Sequence, residues 1–225
     1  MRPYFIEEIA RMVLAIGTKT YIITTFNIFE ISYIIYIMKT AIIIHGYNNK
    51  SEFLDESRPS SSNDHWLPWL QRQLLLNGIE AQTPEMPGFY EPNYEKWKDL
   101  LDKFEPDLDT MLVGHSCGGG FLMRWLSESN KKVGKVVLVA PWLDPNKKID
   151  PNFFNFEIDP NIVSRTNGII IMYSTDDNSE IFKSIDMLKS KVENLQIKEF
   201  TGKGHFILNH MKTEKFPELL AILLE

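Results

Sequence analysis

The 225-residue sequence predicts an α/β fold, with a mainly parallel central sheet of about six strands and helices on both faces. Three observations predict it. Strand-like and helix-like segments alternate along most of the chain. Several of the strand-like segments are continuous apolar runs, as in strands that are buried on both faces. A glycine-rich stretch also joins one apolar run directly to a helical pattern, as parallel sheets with tight strand-to-helix turns require.

Six segments are predicted to be strands from their short apolar runs. Residues 40–44 and 168–173 are the clearest, because their apolar side chains do not alternate with polar ones. The predicted strands are 40–45, 79–83, 109–114, 133–140, 168–174 and 195–200.

Five segments are predicted to be helices. Residues 121–126 have apolar side chains at helical spacing, and residues 71–76 end at Asn77 and Gly78, a common helix C-terminus. The predicted helices are 65–77, 93–104, 117–129, 181–193 and 213–224. Four of them separate consecutive predicted strands, and such crossovers produce parallel strands.

The turn at residues 114–118, with the sequence Gly-His-Ser-Cys-Gly, lies between a predicted strand and a predicted helix. This Gly-x-Ser-x-Gly pattern in this setting predicts a nucleophile elbow, in which Ser116 is held at positive φ with its Oγ exposed. The competing interpretation is a glycine-rich turn in which Ser116 only caps a helix. The flanking strand and helix favour the elbow.

A serine nucleophile needs a base and an orienting carboxylate, in the chain order serine, acid, histidine for this fold type. His205 follows the predicted strand 195–200, and two adjacent acids follow the strand 168–174. Loops after parallel strands meet at one sheet edge, so these groups are expected to lie near Ser116. Asp177 is favoured as the acid, and Asp176 is the alternative. If Asp176 is not the acid, it is expected to stabilise a turn or cap a helix.

Two backbone N–H groups are predicted to form an oxyanion hole. One belongs to Cys117, at the start of the helix after Ser116, and the other to Tyr47, in the loop after the first strand. Gly46 would allow the close approach that this requires. His45 precedes the serine in the wrong order for a base and is expected to be a hydrogen-bonded structural residue.

With these residues in place, the chain resembles the small α/β-hydrolases related to retinoblastoma-binding protein 9 and to bacterial proteins described as YdeN-like esterases. The resemblance spans about residues 38–225 and is carried by the stretches 41–47, 65–70, 84–87, 113–119, 174–177 and 202–206. It implies an α/β-hydrolase fold with little or no cap domain, a Ser-Asp-His triad and no cofactor. Binding to pocket proteins is not expected. In the animal relative this binding is attributed to a Leu-x-Cys-x-Glu motif, and in this chain the residue two positions before the only cysteine, Cys117, is His115 and not leucine.

Composition limits the other possibilities. With 44% apolar and 24% charged residues, the chain has the make-up of one ordinary globular domain. A net charge of -6 does not favour nucleic acid as a partner. The single cysteine, Cys117, excludes an intramolecular disulfide and is compatible with a cytoplasmic protein. No cysteine–histidine cluster suggests a metal site.

Substrate-binding residues are predicted less directly. Tyr47, Phe89, Trp142 and Phe154 are the candidates for an apolar, aromatic pocket. Phe154 belongs to the aromatic segment 144–165, which either forms a low lid over an acyl group or covers the core. Residues 50–63, rich in serine and charge, are interpreted as a solvated surface loop that could also edge the site.

The amino-terminal segment 1–37 precedes the first predicted strand and contains apolar runs at 21–26 and 34–37. Spanning a bilayer takes about 20 mostly apolar residues, and Asn27 and Glu30 interrupt this stretch. The leading interpretation is an extension absent from the main cellular product, with a domain over 38–225. The alternative is a membrane anchor or an added helix, which would make the protein membrane-associated.

Two functions are compatible with these features. The first is a serine hydrolase that cleaves a carboxylic ester or amide of a small molecule through an acyl-enzyme, with Ser116, Asp177 and His205 as its triad. Esters rank above amides only because better leaving groups demand less of the site. The second is a catalytically silent protein-binding module with the same fold.

Overall fold

A computed structural model describes residues 39–225. Its six parallel strands form one sheet in the order β2-β1-β3-β4-β5-β6. The strands are β1 Thr40–Ile44, β2 Glu80–Gln82, β3 Thr110–His115, β4 Val136–Val139, β5 Ile169–Ser174 and β6 Gln196–Phe200. The described helices are α1 Lys50–Phe53, α2 Leu67–Leu76, α3 Tyr94–Asp102, α4 Cys117–Glu128, α5 Ser179–Lys189, α6 Leu208–Met211 and α7 Pro217–Leu224.

The centre of the sheet is fully covered. Every residue of β3 is buried, and β3 pairs with β1 in a register that sets Val113 beside Ile43. Because strand side chains alternate between faces, burial of every residue requires cover on both faces. The polar loops after these central strands therefore open at the carboxyl edge of the sheet, where ligands bind in open parallel sheets.

All six predicted strands and all five predicted helices are confirmed, with shorter bounds in places. The strand predicted at 133–140 reduces to β4, because Val133 forms only an isolated bridge to Thr166. The helix predicted at 213–224 begins at Pro217, which is favoured in a first turn because its missing N–H needs no partner there.

Short helical turns within the predicted loops were not expected from the sequence. Besides α1 and α6, these are 3-10 turns at Ser61–Asn63, Pro151–Phe154 and Ile162–Arg165. In the aromatic segment 144–165, Phe153 is buried against Trp97, at a ring-centroid distance of 5.1 Å. Phe153 therefore covers the core, as one of the two interpretations of this segment predicted.

The predictions for residues 1–37 lie outside the described residues. Within residues 39–225, the structure contains no helix that combines the length and the apolar character needed to cross a bilayer.

Backbone packing at the start of α4 depends on glycine. A Cβ added to Gly118 would lie 2.6 Å from the Ile44 carbonyl oxygen, and closer still to that of His45. A Cβ added to Gly114 would lie 2.6 Å from the Cα of Gly119. Because the obstructing atoms belong to the backbone, they cannot move aside as a flexible side chain can. The two glycines let α4 begin directly against β1 and β3.

Gly118→Ala is therefore expected to lower the free energy of unfolding by about 3 kcal/mol, the upper range for overpacking a rigid site. Urea denaturation of the variant and of the parent protein measures this difference. The neighbouring Cys117→Ala change is the control, since it removes a small buried side chain without a backbone collision and should cost about 1 kcal/mol. Equal stability of Gly118→Ala and the parent would contradict the packing argument.

Candidate active site

Ser116 lies in the turn between β3 and α4 with φ 53° and ψ −119°, outside the usual regions for a residue with a side chain. Neighbouring strands hold it there: its N–H donates to the Val139 carbonyl at 2.9 Å, and its carbonyl accepts from the Trp142 N–H at 3.0 Å. Its side chain makes no capping hydrogen bond to α4. The conformation matches a nucleophile elbow and not a helix cap.

Three side chains from separate loops form one chain of hydrogen bonds. Ser116 Oγ lies 2.9 Å from His205 Nε2. His205 Nδ1 lies 2.9 Å and 3.1 Å from the two carboxylate oxygens of Asp177. An ionised carboxylate can only accept hydrogen bonds, so Nδ1 carries the hydrogen and Nε2 is free to accept a hydrogen bond from the serine hydroxyl. We call this group the serine–histidine–aspartate cluster.

Of the two adjacent acids, Asp177 is the one that contacts His205. Its side chain is only 2% exposed, and its Oδ1 also accepts a hydrogen bond from the Asn178 backbone N–H at 2.7 Å. A buried carboxylate that is hydrogen-bonded on this side can orient the imidazole without rotating away.

Asp176 has a different role, which the sequence did not indicate. Its Oδ1 accepts hydrogen bonds from the backbone N–H groups of Gly202 at 3.0 Å and Gly204 at 3.2 Å, and from the Ser174 hydroxyl. The Ser174 hydroxyl also accepts from the Lys203 N–H at 3.1 Å. The carboxylate of Asp176 thus holds the backbone of the loop that ends at His205. The next residue, Asp177, orients the imidazole ring of His205.

Two further histidines hold the backbone of His205. The His205 N–H donates to His210 Nδ1 at 2.8 Å, and the His205 carbonyl lies 2.9 Å from His115 Nε2. Burial, followed by the nearby charges of His205 and His65, lowers the pKa of His115 well below 6.5. His115 is therefore neutral and donates from Nε2. No sequence spacing singled out His210, since its role depends on the turn that precedes α6.

His45 is a structural residue, as expected. Its Nε2 accepts from the Met86 N–H at 2.8 Å, so its Nδ1 donates to the Gly46 carbonyl at 2.7 Å. Burial lowers the pKa of His45, which keeps this donor–acceptor pattern intact at neutral pH. The imidazole thereby joins the loop after β1 to the loop after β2.

The residues predicted to supply the oxyanion donors, Tyr47 and Cys117, are close to Ser116. Among the hydrogen bonds within residues 39–225, none uses the backbone N–H of Tyr47 or Cys117. A Cβ on Gly46 would come within 3.2 Å of the Ser116 Cβ, so the loop that carries Tyr47 packs directly against the serine. The Cys117 thiol is fully buried, and burial raises its pKa, so it stays protonated beside the N-terminus of α4.

Two cavities open on the Ser116 hydroxyl. The larger, of about 540 Å³, lies toward residues 48–64, and the smaller, of about 460 Å³, lies toward Trp142 and α5. Tyr47, Ser116 and His205 line both. We call them the loop cavity and the tryptophan cavity. Residues 50–63, interpreted from the sequence as a solvated loop, therefore form a wall of the site.

Of the four predicted substrate-binding residues, two line a cavity beside Ser116 and two do not. Tyr47 and Trp142 line the tryptophan cavity, with ring centroids 6.2 Å apart. Phe89 is buried against His45, and the lining of neither cavity includes it. Phe154 packs edge-on against Trp142 at 6.0 Å and supports that wall from behind. Trp142 is further fixed by a hydrogen bond from its Nε1 to Glu180 at 2.9 Å.

Metal ligands are not grouped in this part of the chain: residues 39–225 contain no set of three or more His, Cys, Asp or Glu side chains that could hold a metal ion. The site's polar groups are instead those of the serine–histidine–aspartate cluster and the two cavities.

This fold and this elbow define an α/β-hydrolase-fold protein of the serine hydrolase type. The chain belongs to the serine hydrolase family, whose profile, described as "Serine hydrolase", matches residues 41–224.

Relatives and solved structures agree with this assignment. The chain is 28% identical over 176 residues to YdeN of Bacillus subtilis (strain 168), covering 75% of this chain and 86% of that one. The crystal structure of the B. subtilis ydeN product matches with a TM-score of 0.69 and 26% identity, over 83% of this chain and 97% of that one. Est1E from Butyrivibrio proteoclasticus is similar in fold, with a TM-score of 0.58 and 15% identity, over 82% and 86% of the two chains.

The buried neutral histidines predict a loss of stability in mild acid. The pKa values of His45 and His115 are lowered from 6.5 by folding, so the unfolded chain binds more protons between pH 6.5 and the lowered values. The contribution of the two histidines to the free energy of unfolding is fully present above pH 6.5. It is lost as the pH falls below 6.5, by about 1.4 kcal/mol per pH unit for each histidine. Urea denaturation at pH 7.5, 6.0 and 5.0 measures this slope.

His115→Gln is the matched variant for this effect, because the glutamine amide can still donate to the His205 carbonyl but does not titrate. As the pH falls, the free energy of unfolding of this variant should decrease less steeply than that of the parent protein. The difference between the two slopes should be about 1.4 kcal/mol per pH unit. An unchanged slope would show that His115 is not held neutral in the folded protein.

Asp176 generates a second prediction. Asp176→Ala removes the acceptor for two backbone N–H groups of the His205 loop, so the hydrolytic kcat should fall by about 10- to 100-fold with KM little changed. Asp176→Asn is the conservative control, since its amide oxygen can occupy the Oδ1 position, and it should retain most of the rate. Steady-state kinetics with an activated ester measure both. Equal losses in the two variants would contradict a positioning role through Oδ1.

Proposed function

We propose that the protein hydrolyses carboxylic esters, and less readily amides, through an acyl-enzyme formed on Ser116. The observation that carries the proposal is the unbroken hydrogen-bond chain from Asp177 through His205 to Ser116 Oγ, at 2.9 Å on each side of the imidazole. These distances lie within the range that proton transfer between a nucleophile and its base needs.

In the first half-reaction, Ser116 Oγ attacks the substrate carbonyl while His205 Nε2 takes the hydroxyl proton. Asp177 stabilises the imidazolium that forms and keeps Nδ1 protonated. The tetrahedral intermediate then collapses, the bond to the leaving oxygen breaks, and His205 returns its proton to that oxygen. An alcohol leaves, and the acyl group remains on Ser116 as an ester.

The negative oxygen of each tetrahedral intermediate is assigned to the N–H groups of Cys117 and Tyr47. Both are adjacent to Ser116, one at the N-terminus of α4 and one in the loop that packs against the serine Cβ. A donor of this kind typically contributes about 3–4 kcal/mol to the transition state. The α4 dipole adds to the same effect, because the positive end of the helix faces the developing charge.

In the second half-reaction, water attacks the acyl carbonyl and gives its proton to His205 Nε2. Collapse of the intermediate releases the carboxylic acid, and the proton returns to Ser116 Oγ. The net reaction consumes one ester and one water and yields an acid and an alcohol. Side chains, two backbone N–H groups and water account for each step, so the proposal assigns no cofactor.

Esters are proposed ahead of amides because an alkoxide leaves more readily than an amine anion. For an ester, His205 needs to protonate a leaving oxygen that is already a moderate leaving group, whereas an amide depends on that proton much more strongly. An open site with two solvent-accessible cavities does little else to assist a poor leaving group.

Covalent labelling with a fluorophosphonate probe tests the proposal. The parent protein should be labelled at Ser116, and Ser116→Ala should not be labelled, with the modified residue identified by mass spectrometry. Asp177→Asn should lower the labelling and ester-hydrolysis rates by about 10⁴-fold, because the wrong histidine tautomer is then favoured. Asp176→Asn, its neighbour in sequence, is the matched control and should retain most of both rates.

The residues should also act as one unit. The Ser116→Ala, His205→Ala double variant should lose little more activity than either single variant. A folded parent protein that neither reacts with the probe nor hydrolyses p-nitrophenyl esters would refute the proposal and favour the protein-binding alternative.

A further inference from the structure

The loop cavity has a wall that the proposed reaction does not explain. Residues 48–64 contribute many polar groups to the lining of the cavity that also contains Ser116. The short helix α1, capped by Asn49, and the 3-10 turn Ser61–Asn63 give this segment a defined shape. Two backbone N–H groups of that turn donate to the Glu85 carboxylate, at 3.2 and 2.9 Å, which ties the segment to the loop after β2.

Arg58 is the central residue of this wall. Its Nη1 donates to Glu52 at 2.7 Å and its Nη2 donates to Asp64 at 3.2 Å. The guanidinium has five N–H donors, so others stay available on a side chain that is 31% exposed and lines the cavity. Two carboxylates, from residues six positions before and six positions after it in the chain, fix its orientation, which lowers the entropy lost when it binds a ligand.

The charge of the wall favours a ligand that is not an anion. Although burial opposes it, hydrogen bonding and charge from His65 lower the pKa of Asp64 to about 2, so this carboxylate is ionised at neutral pH. Glu52 and Asp64 offset the positive charge of Arg58 and that of a protonated His65. An incoming carboxylate or phosphate would therefore meet no excess of positive charge at this wall.

Small hydrogen-bonding side chains also line the loop cavity, beside the apolar residues Pro59, Leu67, Ile207 and Leu208. The amide nitrogen of Asn48 donates to Ser61 Oγ at 2.9 Å, and no hydrogen bond within residues 39–225 uses its amide oxygen. Ser57 and Asn209 add a hydroxyl and a second amide to the cavity lining. A purely alkyl group would remove water from these groups without replacing its hydrogen bonds, which is unfavourable. A ligand with several hydroxyl groups would replace them.

The tryptophan cavity combines an aromatic wall with polar groups from Lys148, Asn178, Ser179 and Glu180. The rings of Tyr47 and Trp142 lie 6.2 Å apart and inclined by 34°, with Ile181 also in the lining. These flat apolar surfaces suit an aromatic or short apolar group. Since the two cavities share Ser116 and His205, a substrate carbonyl at the serine would have one half of the molecule in each.

We propose that the loop cavity is an alcohol subsite that selects esters of uncharged polyhydroxylated alcohols, with Arg58 as the specificity-determining residue and an apolar acyl group in the tryptophan cavity. This inference rests on the proposed ester hydrolysis. The products are then an apolar carboxylic acid and a free polyol, formed from one ester and one water.

Three phenylacetate esters with a three-carbon alcohol test the subsite: the 1-propyl ester, the 2,3-dihydroxypropyl ester and the 2-carboxyethyl ester. For the parent protein, kcat/KM should be about tenfold higher for the dihydroxypropyl ester than for the propyl ester, because two hydroxyl groups form new hydrogen bonds. The carboxyethyl ester should be the poorest substrate of the three. The ratios compare substrates on one enzyme, so they do not depend on the amount of active protein.

Arg58→Met should reduce the dihydroxypropyl-to-propyl ratio to near one, and Arg58→Lys should retain part of it. Arg72→Met is the matched control, an exposed arginine on α2 that is outside the lining of either cavity, and it should leave the ratio unchanged. Asn209→Ala provides a second test if Arg58→Met does not fold, with an expected threefold or so loss in the ratio.

Two outcomes would overturn the subsite, and they are distinguishable. Hydrolysis of the propyl ester with a ratio of one or less in the parent protein would refute the subsite while leaving ester hydrolysis intact. A parent ratio that survives both Arg58→Met and Asn209→Ala would refute its assignment to the loop cavity. Absence of both probe labelling and turnover of all three esters would instead refute the proposed function on which the subsite rests.

Discussion

The close contact between the start of α4 and the backbone of β1 is the constraint on which the site depends. Because Gly118 has no side chain, the helix can begin against the carbonyl groups of Ile44 and His45. The chain must then leave β3 and enter α4 within one residue, which puts Ser116 at φ 53°. The strained backbone conformation is maintained by the surrounding packing and directs Oγ away from the sheet, toward His205.

A second constraint fixes the position of His205, which lies in a loop and not in a helix or strand. The backbone from Gly202 to His205 lies in a loop, yet its N–H groups donate to Asp176, Ser174 and His210. The His205 carbonyl accepts from His115, which belongs to the elbow itself. Elbow and histidine loop are thus joined through the backbone as well as through the Ser116–His205 hydrogen bond, so a displacement of one displaces the other.

The sequence was sufficient for the sheet, the elbow and the proximity of Ser116 to His205, because apolar periodicity and strand-end loops are local signals. It did not distinguish the two acids by any physical rule, since adjacent residues in a turn diverge according to tertiary contacts. The roles of Asp176 and His210 were missed for the same reason: their partners are backbone groups in another loop or across an irregular turn. Residues 50–63 carry no periodicity, and only their ion pairs and the bonds to Glu85 reveal a built wall.

The two cavities differ in how firmly the fold specifies them. The tryptophan cavity is lined by Trp142, which lies three residues after β4 and donates hydrogen bonds to the Ser116 carbonyl and to Glu180 of α5, so its shape is tied to the elbow. The loop cavity instead depends on side-chain contacts within residues 48–64, of which Arg58 is the centre. Changes to these side chains would remove no hydrogen bond of the sheet or of the Ser116 backbone. In the proposed reaction, specificity for one half of the substrate could therefore vary without altering the reacting groups, because the two are held by separate sets of bonds.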